Sequence, residues 1–491
     1  MKLRISSVLS LIVLANLFCG TVSARTDYFA VLLNDQKCGY AVQSRQVKGN
    51  IVETTEKMNI TINRFNVSMT SETVEKCRET LDGEPLSFES VQNLSTMSTK
   101  IKGVVEPNGF VNVTTSSMGN TYSRKMRWPE GAVMMEGLRQ IQLDKGLDPG
   151  TEYEVKIFSP QLIDAVNMQI EVGQKQKIDL AGRKQELHKV TSKMQIPAAG
   201  EIVTVAFVDE NMRMYKSTIP LMDMRLELVK CPKEAATSDI NPVEVAVQTF
   251  VPAPSPMKNL QQAKKGIYIL ESTDPNQTLL IQQTDFQKVS STEEGKIRVA
   301  VEKKDIPRGA KLSADVNEDV KKYLKPGRYV QSDNPEIKKL SRKAIGDTED
   351  AGLAAEKIES FVAGYITQAD FSVGYATAAE VLETKTGDCS EFAILTTALC
   401  RAAGIPARIA VGIAYIDEFA GMENSFGGHS WTQVFIDGQW YNLDAAFRSA
   451  GLSGFDCGHI LLAAGGGAPE DFLSLLNTVG KIKINSAELK F

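Results

Sequence analysis

The chain has 491 residues, 43% hydrophobic and 23% charged, which excludes wholesale disorder, a collagen-like repeat and a polytopic membrane protein. Its 55 basic and 60 acidic residues leave a net charge of -5, so no basic field points to nucleic acid. It holds only three histidines (His188, His429, His459) and seven cysteines; Cys-x-x-Cys and His-x-x-x-His pairs are missing, so no metal or other cofactor is expected.

The N-terminus reads as a signal peptide, residues 1–24. Lys2 and Arg4 precede a mostly apolar run from Val8 to Phe18, too short to span a bilayer comfortably. Val22-Ser23-Ala24 then offers small residues at the cleavage positions, so the mature chain is expected to begin at Arg25, in the periplasm or outside the cell. No later run approaches ~18 uninterrupted apolar residues, so no membrane span is expected after signal removal. An oxidising compartment permits disulfides, and Cys38 with Cys77 is one pairing it allows.

Residues 25–235 read as an antiparallel β-rich domain. Asp27 to Leu33, Ile51 to Phe65, Leu86 to Ser95 and Phe110 to Thr115 are rich in Val, Ile, Thr and Phe, with turn residues between them. A helix is expected over Met134 to Leu143. His188 lies in a polar strand and reads as a solvated or pairing residue. Prolines between 231 and 258 mark a connector, and residues 236–320 read as a linker and small β module. Its strands are expected at Gly266 to Leu270, Thr278 to Gln283 and Lys296 to Val301.

Residues 321–491 form the last predicted domain, where helices come first and strands later, so the fold class is α+β. Asn317 to Tyr323, just ahead of it, and Pro335 to Ile345 read as helices. Ala351 to Ile366 is a stronger one, with apolar residues near helical spacing and capping oxygens at Asp347, Thr348 and Asp350.

A helix pattern then runs from Ser390 to Ala403, stopped by Gly404 and Pro406. Cys389 sits at its start, where unpaired amides and the dipole stabilise a thiolate and can receive an oxyanion. Asp388 reads as a helix cap, Glu391 as support for the dipole and Cys400 as core packing. A thiolate nucleophile needs a base and a group to orient that base. Asp437-Gly438 between two β-prone runs signals a two-residue hairpin. Ile436 then pairs with Gln439, and continuing the ladder sets Trp431 opposite Asp444 and His429 opposite Ala446. His429 and Asp444 would share a sheet face as diagonal neighbours, roughly 7–8 Å apart. His459 follows Cys457-Gly458 and has no carboxylate on a predictable face, so it reads as a structural or surface residue. Asp417 to Gly427 reads as a loop bordering the cleft.

Four segments resemble the bacterial branch of the transglutaminase-like superfamily. They are Thr386 to Ala393, Leu399 to Arg408, Gly428-His-Ser-Trp431 and Trp440-Tyr-Asn-Leu-Asp444. The resemblance spans roughly residues 320–460 and implies a papain-like core, a Cys-bearing helix on an antiparallel sheet. It implies Cys389 as nucleophile, His429 as base, Asp444 as orienting acid and Tyr375 as a second oxyanion donor. An exported thiol acyl-transfer enzyme is expected, acting on protein or cell-envelope peptide. Hydrolysis of a peptide or carboxamide is preferred; protein cross-linking, or a binding module that keeps the fold with little turnover, are the alternatives.

Overall fold

The computed structural model describes residues 24–491 apart from 66, 95–96, 118–119, 181–182, 197–199, 222–223, 275–278, 293, 314, 370, 372–374, 469–470, 473–474, 476–477 and 479. The signal-peptide reading therefore lies outside the described residues, save for Ala24. The chain divides into two compact units, one ending at Glu244 and the other running from Val245 to Phe491.

The first unit is one large sheet. Its strands are β1 (Ala24–Leu33), β2 (Gln36–Lys48), β3 (Ile51–Arg64), β4 (Val67–Thr80), β5 (Pro85–Leu94), β6 (Met97–Val105), β7 (Phe110–Ser117), β8 (Asn120–Arg127), β9 (Ala132–Val133), β10 (Glu152–Ser159), β11 (Asp164–Leu180), β12 (Arg183–Ile196), β13 (Gly200–Val208), β14 (Met214–Leu221) and β15 (Met224–Cys231). Each strand pairs with the next in sequence except at one place, between β8 and β9. β1 pairs with β15, and β8 and β9 are the two ends of the order. A helix, α1 (Met135–Lys145), follows β9. Alternation makes the meander: in β3 every second residue from Val52 to Arg64 is buried. The sheet curls so that its two arms share a core. Phe88 of β5 and Phe158 of β10 lie 4.9 Å apart, and Trp128 stacks on Phe158 at 4.4 Å.

Not all of this interior is apolar. The Arg45 guanidinium donates to both oxygens of Glu136 at 2.8 and 2.9 Å, and Glu79 accepts the first amides of α1. Glu56 and Glu75 are direct cross-strand partners, both buried. Burial raises Glu75 to about 7, and burial together with the Glu75 charge raises Glu56 well above the carboxylate range. A carboxyl raised on folding adds stability below its unfolded value and loses it as pH climbs through the folded one. Glu75→Gln is therefore expected to be nearly neutral at pH 4. At pH 8 it should stabilise this unit by on the order of 2–3 kcal/mol. Calorimetry of the whole chain at both pH values reads this, and equal shifts at the two would count against it.

Cys38 and Cys77 are free thiols, as are all six described cysteines. Register explains the missing bridge. Gly39 pairs with Ile60 on β3, whereas Cys77 pairs with Thr54. Several residues of strand and one intervening strand separate the two thiols, roughly 20 Å along β3, far beyond disulfide reach. His188 pairs with Glu210 at 3.3 Å, in keeping with a pairing role.

After α2 (Lys233–Ala236) and β16 (Val243–Glu244), the second unit begins with β17 (Val251–Pro252), β18 (Lys265–Ser272), β19 (Gln287–Ser291) and β20 (Ile297–Glu302). The strand expected at Thr278 to Gln283 is irregular over the described residues 279–283. The pairing strand is β19, where Val289 meets Val299. Helices follow: α3 (Glu318–Lys321), α4 (Pro335–Ile345) and α5 (Ala351–Tyr365), the last two capped by Asn334 and Asp350. Then come β21 (Gln368–Ala369), α6 (Ala378–Thr384), β22 (Thr386–Gly387) and α7 (Cys389–Ala402). The remaining elements are β23 (Ala407–Phe419), β24 (Met422–Ile436), β25 (Gln439–Leu443), α8 (Ala445–Ser449), β26 (His459–Gly465) and β27 (Ile482–Lys490).

One sheet runs β17-β24-β23-β26 with β25 on β24; a smaller one runs β19-β20-β18-β27. The chain's last strand thus completes the small β module. α7 is the buried axis of the unit, with every residue from Ser390 to Arg401 buried. Thr432 of β24 donates to the Ala393 carbonyl at 3.0 Å, which fixes α7 against the sheet. Asp417 to Gly427 is not a loop. β23 and β24 continue to Phe419 and Met422, turning at Ala420 and Gly421, which have φ of 52° and 81°. That pair of positive φ values is the tight hairpin geometry.

Candidate active site

Local sequence builds the start of α7. Asp388 is its N-cap, its carboxylate accepting the Ser390 amide at 3.0 Å and closing a capping box with Glu391. Glu391 accepts the amides of Asp388 and Ala376 at 3.0 and 2.8 Å, so it ties the helix start to the chain before α6 as well as facing the dipole. A Cβ on Gly387 would lie 2.3 Å from the Glu391 Cβ, so only glycine fits there. Cys389 is the first helical residue and is half-buried. Cys400, further along the same helix, is fully buried, and burial pushes its thiol far up.

The hairpin forms as the Asp-Gly signal indicated. Ile436 pairs with Gln439 and Thr432 with Leu443, and Asp437 and Gly438 have φ of 47° and 80°. The ladder does not run on to Asp444 and Ala446. β25 ends at Leu443, and Asp444 instead caps α8, its Oδ1 accepting the amides of Ala446 and Phe447 at 3.0 Å each. Turning out of the strand carries its carboxylate to His429, whose Nε2 lies 2.7 Å from Asp444 Oδ2. The His429 and Cys389 side chains act on each other electrostatically, and the ring nitrogen of His429 not bonded to Asp444 is Nδ1. The structure therefore brings Cys389, His429 and Asp444 together.

The electrostatics are those of an ion pair. Burial works against the imidazolium of His429, but the Asp444 carboxylate and the Cys389 thiolate raise it to about 10. Burial and the adjacent Asp388 carboxylate raise the Cys389 thiol, while hydrogen bonding and charge from His429 lower it. Asp444 is held below the ordinary carboxylate range: burial opposes its charge, and His429 and His459 favour it.

His459 is a structural and not a surface residue, and, against expectation, it has a carboxylate partner. It is fully buried, and its Nε2 lies 2.9 Å from the same Asp444 Oδ2 that His429 uses. Its Nδ1 is 3.0 Å from Asp456 Oδ1. Strand order accounts for this. β23 lies between β24 and β26, with Gly412 opposite His429 and Ala414 opposite His459. The two rings come within 5.5 Å across small residues. A Cβ on Gly412 would sit 2.0 Å from the Ile460 carbonyl oxygen, so β23 and β26 require glycine there. The apolar run after His459 marked a strand, but nothing local to it revealed which strand it would join.

Glu359 of α5 was also missed. It accepts the Asp444 amide at 2.7 Å and is itself gripped by Arg448 at 2.7 Å. Tyr375, the expected oxyanion donor, instead gives its hydroxyl hydrogen to the Gly467 carbonyl at 3.2 Å.

Ligand atoms of His429, Asp444 and His459 lie within 4.8 Å of one another. Both nitrogens lie at hydrogen-bond distance from a single oxygen, Asp444 Oδ2.

Residues 338–445 match the model of the transglutaminase-like superfamily, a span that takes in α5, α7, the hairpin and all three of Cys389, His429 and Asp444. This segment is a transglutaminase-like domain. A search of the curated proteins returns no match. Among solved structures, one from Cytophaga hutchinsonii described as a candidate cysteine protease is 19% identical, with 47% of this chain and 88% of that chain covered and a TM-score of 0.29. A candidate protease from Parabacteroides distasonis is 13% identical over 76% of this chain and 68% of that one, at a TM-score of 0.20. A β-barrel-like domain of unknown function from Brucella abortus is 13% identical over 43% of this chain and 98% of that one, at 0.35. Within the transglutaminase-like domain, the papain-like arrangement of helix and sheet expected from the sequence is present. The large antiparallel sheet precedes it in the chain.

Proposed function

We propose that the chain is an exported thiol acyl-transfer enzyme that attacks a peptide or glutamine-type carboxamide of protein or cell-envelope substrates, with water as the usual acceptor. The observation that carries this reading is the buried His429–Asp444 pair at 2.7 Å, electrostatically coupled to Cys389 at the start of a buried helix. Cys389 Sγ attacks the carbonyl carbon, and the carbonyl oxygen takes the negative charge. The Asp388 cap engages the amides of Ser390 and Glu391, so the Cys389 amide is the first-turn donor left beside the oxyanion. His429 passes its proton to the leaving amine, the C–N bond breaks and an acyl-thioester remains. Water attacks the thioester while His429 takes its proton, which releases the carboxylic acid and restores the thiol.

The test incubates the full chain, without its signal segment, with a panel of peptides and glutamine donors, with and without a labelled amine. Cleavage or ammonia release that depends on Cys389 supports hydrolysis. Incorporation of the amine in its place supports cross-linking. No Cys389-dependent turnover across the panel, with a thiol inert to iodoacetamide at neutral pH, would sink the enzyme reading and leave a binding module.

A further inference from the structure

The reading of Cys389 and His429 as the reacting pair leaves His459 without a task, although its Nε2 lies 2.9 Å from Asp444 Oδ2. A neutral imidazole has one N–H and one bare nitrogen. In His459 both nitrogens face carboxylate oxygens, Asp444 Oδ2 at 2.9 Å and Asp456 Oδ1 at 3.0 Å, with the Asp456 carbonyl oxygen also 3.0 Å from Nδ1. The Asp456 amide approaches Nδ1 only at 3.4 Å. A bare Nδ1 would set its lone pair against two oxygens at contact distance, so both nitrogens carry protons. The rings of Trp431, Phe447 and Phe455 close around it at 5.3, 4.8 and 4.7 Å, which shuts out water.

We propose that His459 is a positioning residue with a fixed positive charge, which locks Asp444 in place and divides its carboxylate between two histidines. This deepens the acyl-transfer reading and rests on it. The consequence is specific. With one ring N–H of His459 on Asp444 Oδ2, less of that charge is available to His429. A second cation stands 5.5 Å from the His429 ring. Both effects ease the departure of the His429 proton, which the leaving amine must receive, and the added positive charge favours the Cys389 thiolate.

The other charged groups facing this cluster are few. Glu359 and its partner Arg448 stand behind Asp444, Asp388 adjoins Cys389, and Tyr268 lies near Asp456 with its hydroxyl on the Cys457 carbonyl. Glu359 is already offset by Arg448, and Asp388 is spent as the cap of α7. His459 is thus the second cation on Asp444 itself.

His459→Gln keeps an N–H for Asp444 and removes the charge. The pH at which Cys389 becomes open to iodoacetamide, and the pH at which His429 loses its proton, should both move up by roughly one to two units. A residue that merely filled space would lower thermal stability and leave both values in place. With only three histidines in the chain, nitrogen NMR of histidine-labelled protein resolves each ring. His459 should show two protonated nitrogens from pH 5 to 8. Should His459→Gln fail to fold, His188→Gln and His429→Gln assign the rings by elimination. An unmoved alkylation profile, or a neutral His459 at pH 7, overturns the proposal. The NMR signal needs no turnover, so it remains readable if the enzyme reading fails. A neutral His459 beside a reactive Cys389 removes this inference alone.

Discussion

Cys389→Ala is expected to abolish turnover by about 10⁴-fold or more, the size of loss seen when a covalent nucleophile is removed from a site whose groups act as a unit. It should also remove the one thiol labelled by iodoacetamide at mildly acidic to neutral pH. The environments of the other cysteines make this second readout clean. Cys38, Cys77, Cys400 and Cys457 are buried, and burial pushes each of their thiols up; Cys231 is half-buried and raised as well. Among the described cysteines only Cys389 has its thiol lowered by a histidine. His429→Ala should slow its labelling at pH 6–7, because the thiol then faces burial and Asp388 without a counter-charge. His459 does not substitute for His429, since both its nitrogens are engaged, one by Asp444 and the other by Asp456. Labelling at wild-type speed in His429→Ala would show that the thiolate does not depend on the pair.

Parity and turn chemistry made much of this site legible. Asp437-Gly438 sets a hairpin register without reference to anything distant, and the strand partners from Thr432 to Ile436 fall where that register puts them. Helix α4 is bounded by Pro335 and Gly346 and needs no tertiary information either. The failures have two physical causes. Asp444 left the ladder because its own side chain caps α8, a competition between strand and cap that periodicity does not weigh. His459 reached Asp444 because β26 joined β23, a pairing between segments about fifty residues apart that no local pattern encodes. The interior of the first sheet misled in the opposite way. Alternation in β3 predicts which residues face inward, but the inward positions include Thr54, Glu56 and Arg64 as well as Val52 and Ile60, so burial there is not a guide to hydrophobicity. The disulfide expectation failed for the same reason as His459: compartment permits a bond, but strand order decides whether two sulfurs can meet.

Asp444→Asn is expected to cost about as much activity as removing the base, on the order of 10³–10⁴-fold, and to destabilise the second unit by roughly 3–5 kcal/mol, the range for breaking a buried ion pair. The amide can still cap Ala446 and Phe447 with its oxygen. Its NH₂ then points at two ring N–H groups, donor against donor, and two buried cations lose their shared anion. Asp444→Ala removes the cap as well and should cost about 1 kcal/mol more. The pH dependence gives the prediction its sign. Asp444 is depressed on folding, so its contribution is present above about pH 4, its unfolded value, and is lost as pH falls through the folded one. His429 is raised to about 10, so its contribution is complete below about pH 6.5 and is lost as pH climbs towards that value. The gap between wild type and Asp444→Asn should therefore be widest between about pH 4 and 6.5 and narrow steadily towards pH 10. Denaturant unfolding at pH 5.5 and 9.5 measures it. A gap that stays constant, or widens with alkali, would mean that Asp444 acts through the α8 cap and not through its charge on the two histidines.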